Sequence, residues 1–140
     1  MMTKDEVIAW MRDTASLSGL NFETESAMNG TRYHLLKRVQ KYNSWMGNMR
    51  DVMFATFYED GSMTLHHPHN FRFSQKDELI DYERTYAEGF GDLNEIDPKV
   101  LNEYRAYVCK GAADMDKQKV LGHQERKIKQ LRAERANGLK

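Results

Sequence analysis

The stretch DVMFATFYEDGSMTLHH, residues 51–67, constrains the fold more than any other part of the chain. Val52 to Tyr58 is rich in β-branched and aromatic residues, Asp60-Gly61 is a tight-turn dipeptide, and Met63 to His67 returns. Two such runs around such a turn predict a β-hairpin. The following NFRF extends the sheet beyond Pro68, whose missing N–H marks an edge, a bulge or a loop.

Helical signals lie on either side. Thr3-Lys4-Asp5-Glu6 is a capping box, with Val7, Ile8, Met11 and Ala15 at helical spacing, Trp10 beside them and a stop before Gly19. Ser74 has the character of a second N-cap, with Asp77 and Glu78 in the favourable first turn. Leu79, Tyr82, Tyr86 and Phe90 then form an apolar stripe that ends at Gly89 and Gly91. Asp97-Pro98 opens a third helix, lined by Val100, Leu101, Tyr104, Tyr107 and Val108 and stopped by Gly111. A last, polar helix follows from about residue 112 to 136. The expected class is α+β: a small antiparallel sheet (hairpin near 52–67) with an N-terminal helix and a C-terminal run of about three helices. Residues 1–111 form the compact domain, and residues 112–140 a projecting basic helix.

Residues 20–50 admit two readings. Asn29-Gly30 is a hairpin signal that would pair NFETESAM with TRYHLLKRV as strands. Adjacent Leu35 and Leu36 spoil that alternation, however, while Leu35, Val39, Tyr42, Met46 and Met49 recur at steps of four and three. The helical reading of about 32–46 is therefore preferred. Residues 31–50 carry five basic side chains and no acid. Phased as a helix, they put His34, Lys37, Arg38, Lys41 and Trp45 on one basic-aromatic face suited to phosphates and an unstacked base. A solvated helix with core aromatics explains the same pattern.

The chain has 140 residues and balanced charge, 21 bases against 21 acids, which disfavours a protein built mainly to coat nucleic acid. The balance hides segregation. Residues 77–103 hold nine acids against Arg84 and Lys99, and residues 116–140 hold eight bases against three acids. Lys119, Arg126, Lys127, Lys129, Arg132 and Arg135 mark the C-terminal helix as a partner-binding surface, because it is too polar to fold by burying a full stripe.

His67 and His69 stand two apart, a spacing that chelates one metal ion on an extended chain if a third ligand is supplied. No paired Cys or helical His motif accompanies them, and no cofactor is expected. Cys109 is the single cysteine, so no intramolecular disulfide forms. With no apolar leader and no membrane-length span, the expected location is the cytoplasm. The primary functional expectation is a small protein-interaction module: a regulator, adaptor or inhibitor in the style of a viral or mobile-element accessory protein. Its partner would be a larger protein or complex, and a small homo-oligomer is compatible. A DNA- or RNA-binding protein using 32–41 and 117–135 is the alternative. A metal-dependent hydrolase centred on His67 and His69 comes third.

Overall fold

The structure is a computed structural model that describes residues 1–43, 48–116 and Leu131. Helix α1 (Lys4–Ser18) leads into five antiparallel strands in the order β1-β2-β3-β4-β5: β1 (Asn21–Ala27), β2 (Gly30–Gln40), β3 (Met49–Phe57), β4 (Met63–Phe73) and β5 (Leu79–Phe90). A single 3-10 turn, Leu93–Glu95, precedes helix α2, residues 98–116. The class is α+β as expected, with a larger sheet and, among the described residues, fewer helices.

Local chemistry accounts for α1. Thr3 Oγ1 accepts from Glu6 N (3.2 Å) and Thr3 N donates to Glu6 Oε1 (3.0 Å), closing the capping box. Gly19, at φ 71, ends the helix in the left-handed conformation that glycine adopts without penalty. The β3–β4 hairpin forms around Asp60-Gly61, where Asp60 Oδ1 accepts from Ser62 N and Ser62 Oγ.

Three expectations are corrected. The helix expected over about 32–46 is not formed among its described residues: residues 30–40 are β2, hairpinned to β1, and residues 44–46 lie outside the described residues. Met28 and Asn29 form the tip of that hairpin, and Gly30 alone takes positive φ, at 114. The adjacent leucines are both buried because each face of the sheet holds one. Leu35 joins the main core, while Leu36 lies opposite Asn21 and Met53 on the other face, 1% exposed.

Residues 79–90 are not a helix either. Ser74 Oγ accepts from Lys76 N and Glu78 N, both at 3.2 Å, and Ser74 N donates to Glu78 O. The capping chemistry thus closes a turn between β4 and β5. Finally, Gly111 does not stop α2, which runs through it to residue 116 with Ala112 and Met115 in the core. The structure has one C-terminal helix among the described residues, not about three.

β3 and β4 pair only where Ala55–Phe57 meets Met63–Leu65. Beyond this point they fork: the first half of β3 stays with β2, and the rest of β4 stays with β5. At the open end Lys41 bridges to Leu79 and Tyr42 N donates to Leu79 O (3.2 Å), so the sheet curls and β2 reaches β5. Val39, Val52, Phe71 and Leu79 fill the curl. Helix α2 serves the fork. Tyr104 Oη–H is shared between Phe54 O (2.7 Å) and His66 O (2.6 Å), and Tyr107 Oη–H donates to Pro68 O (2.9 Å). Two phenols one helical turn apart thus occupy carbonyls of β4 that β3 has left. Pro68 sits beyond the last β3–β4 pair, where its lack of an N–H removes no bond to β3.

Arg105 ties α2 to α1, donating to Thr14 Oγ1 (2.8 Å) and Trp10 O (3.2 Å) with its guanidinium over the Trp10 ring. Val7, Met11, Leu35, Phe57, Leu65, Leu101 and Val108 are fully buried in the shared core, each contributing about 1.5–3 kcal/mol.

Candidate functional site

The strand assignment takes the basic strip apart. Successive side chains of β2 point to opposite faces, so His34 and Arg38 share a face with Leu36, and Lys37 lies on the other. His34 Nδ1 and Thr56 Oγ1 share a hydrogen bond at 3.0 Å, and Nε2 lies 3.7 Å from Glu25. Arg38 is held between two acids: Nη2 donates to Glu23 Oε2 (2.7 Å) and Nε to Asp51 Oδ1 (2.9 Å). Hydrogen bonds to Asp51 and Glu23 push the guanidinium pKa still higher. Lys37 Nζ donates to Gly19 O (3.3 Å). Lys41 sits at the closing bridge to β5. Lys37 and Arg38 line one depression with Lys76, Asp77 and Glu78, but His34, held at Thr56 and Glu25, is not part of it, so the full set does not form one surface. Trp45 lies outside the described residues, as do Lys119, Arg126, Lys127, Lys129, Arg132 and Arg135.

The histidines of β4 are also separated by their neighbours. His69 Nδ1–H donates to His67 O (2.9 Å) and Nε2 lies 3.1 Å from Glu83 Oε2, which also accepts from Asn70 Nδ2 (2.9 Å). His66 meets the Tyr86 ring edge-on. His67 instead lies against α2, with ring centroids 3.9 Å from Tyr107 and 5.9 Å from Tyr104, nearly parallel to the latter. Burial, and secondarily the charge of His69, pull the His67 pKa below its ordinary 6.5, so it is predominantly neutral at pH 7. Among the described residues, no three His, Cys, Asp or Glu side chains are placed to hold a metal ion.

What the fold builds around His67 is a cleft of about 280 Å³ between the β4–β5 pair and α2. Leu65, His67, Ala87, Glu88, Val100, Glu103, Tyr104 and Tyr107 line it. Val100, Glu103, Tyr104 and Tyr107 come from one stripe of α2, at steps of three and four. On β5 the pairing steps from Leu65↔Glu88 to His66↔Tyr86, leaving Ala87 as the extra residue of a bulge. Regular alternation would send Ala87 and Glu88 to opposite faces; the bulge lets both line the cleft. Both phenol hydroxyls are engaged on β4 carbonyls, and burial raises both tyrosine pKa values. The tyrosines therefore stay neutral, and the mouth carries two carboxylates, Glu88 and Glu103. Neither has a hydrogen-bond or ion-pair partner among the described residues.

These acids belong to a larger exposed set. Asp81, Glu83, Glu88, Asp92, Glu95, Asp97 and Glu103 are exposed along β5, the 3-10 turn and α2. Arg72 pairs with Asp81 (2.9 Å) and His69 with Glu83. Asp92 and Asp97 accept from backbone N–H groups at the starts of the 3-10 turn and α2. The other surface depressions differ. The one near Gly30 is lined by Glu59, which bonds Lys4 and Thr31 N, and the one on β4–β5 by the paired Asn70, Arg72, Asp81 and Glu83.

The acidic run at 77–103 was legible in the sequence, but its assembly with His67 into a cleft was not. The bulge and the packing of α2 on the fork have no local signal. The chain matches no protein-family model, no curated protein and no solved structure.

Proposed function

We propose that the protein is a small interaction module that receives a basic segment of a larger protein on its β5–α2 side, as a regulator, adaptor or inhibitor would. The observation that supports this is the cleft at Glu88 and Glu103: two exposed carboxylates without partners among the described residues, beside aromatic walls, within an acidic belt. Charge complementarity of this kind sets specificity and association rate more than affinity. The segment 117–140 carries net charge of the opposite sign. The nucleic-acid reading draws less support, because β2 sends His34 and Arg38 to one face and Lys37 to the other, and two acids neutralise Arg38.

Capture of the tagged full chain from its native cell, with and without nuclease, tests the proposal. The expected result is a co-purifying protein that survives nuclease and is lost when Glu88 and Glu103 are both changed to Lys. Capture of nucleic acid alone, or of a partner indifferent to that double substitution, would overturn it.

A further inference from the structure

Resting on the interaction reading, we infer that the cleft between β5 and α2 is a pocket for one arginine side chain of the partner's basic segment. Its walls and its charges suit a guanidinium. The Tyr107 and His67 rings pack against each other with centroids 3.9 Å apart, so only the ring faces turned away from that contact are left for a ligand, and their neighbour Tyr104, 4% exposed, closes the floor. A planar cation stacks on such faces, Arg more readily than Lys. Because Tyr104 and Tyr107 spend their hydroxyls on His66, Phe54 and Pro68 carbonyls, they offer the ligand ring surface rather than donors.

The carboxylates come from opposite banks, Glu88 from the β5 bulge and Glu103 from α2. Two acceptors on separate elements match the fork of donors on a guanidinium, whereas an ammonium is a single point charge. An anion would meet two carboxylates and no cation among the lining residues. The volume, about 280 Å³, suits a side chain rather than a larger ligand. Leu65, Ala87 and Val100 give the aliphatic stem an apolar bed.

The test uses the full chain and N-acetyl-arginine methylamide as the probe, followed by NMR. Saturable shifts centred on Ala87, Val100, Glu103 and Tyr107 are expected. Affinity should fall roughly tenfold or more for the citrulline and lysine analogues, and in the Glu88→Gln/Glu103→Gln double variant, whose neutral amides keep the shape. No saturable shift, shifts spread over all the exposed acids, or equal response to the lysine analogue would each overturn the pocket. If the probe binds only after Arg126, Lys127 and Lys129 are changed to Glu, the chain's own basic segment is the occupant and the partner assignment falls. The pocket and the interaction reading fail separately. A partner retained by a protein that ignores the probe sinks the pocket alone; a probe-binding protein that captures no partner sinks the interaction reading alone.

Discussion

The β1–β3 side and the β5–α2 side of this molecule treat charge in opposite ways. On the first, Arg38 joins Glu23 to Asp51, Arg32 reaches Glu25, and Lys4 reaches Glu59, each pair linking different elements. On the second, Glu88 and Glu103 face each other across a cleft with no cation among its lining residues. Exposed pairs of the first kind contribute little stability each, but they leave that face nearly neutral. Unpaired charge costs little while water covers it, and it remains available to a partner. Arg32 and Arg38 of the basic run are thus paired within the sheet, whereas Glu88 and Glu103 of the acidic run are left open.

Perturbing the fork has the largest expected effect. Tyr104→Ala should cost about 3–5 kcal/mol, because it empties a buried aromatic position against Trp10 and His67. Tyr104→Phe should cost about 1–3 kcal/mol by leaving Phe54 O and His66 O without their donor. Urea denaturation reads both, and a Phe variant as stable as the parent would show that the phenol does not hold the two strands. Gly30→Ala should come next, at about 1–3 kcal/mol. Its φ of 114 is strained for any side chain, and the new Cβ would collide with Glu59.

The charge contrast is sharpened by two substitutions with opposite signatures. Glu88→Lys with Glu103→Lys should weaken partner binding by about tenfold or more without loss of thermal stability. Arg38→Ala should leave binding intact and lower the melting temperature slightly, with the loss shrinking as salt is raised. If the two variants behave alike, the contrast between the sides is wrong.

The smallest effect is on pH dependence. Burial depresses the His66 and His67 pKa values below 6.5. The unfolded chain therefore takes up these protons first on acidification. The associated stability is complete above pH 6.5 and is lost as pH falls through the folded-state values. Melting temperatures measured from pH 7 to about 5 should decline, and His67→Phe should flatten part of that slope. An unchanged slope would mean that the ring against Tyr107 is not coupled to folding.

Where local chemistry decides the backbone, the sequence was readable. The Thr3–Glu6 box, the Asp60-Gly61 turn and the Asp97-Pro98 helix start each depend on residues within a few positions, and each is present. Where alternation is broken, reading failed. The register shift between Leu35 and Leu36 and the extra residue at Ala87 each change which parity faces the core. Leu79 and Phe90, eleven positions apart, are consequently both in the core of one strand, a spacing that mimics a helical stripe. Of the candidate site, His67 and the acidic run were visible, whereas the partnership of His67 with Tyr107 was not.

The sequence by itself determined the α+β class, the first helix, the central hairpin and the separation of acidic from basic segments, because capping, turn geometry and net charge act over short distances along the chain. Only the tertiary structure decided that residues 30–40 and 79–90 are strands, that Arg38 is neutralised, and that Glu88 and Glu103 converge. Those outcomes depend on which strands pair and where a bulge interrupts them. The energy for that comes from burying residues far apart in sequence, such as Leu35, Phe54 and Tyr104, in one core.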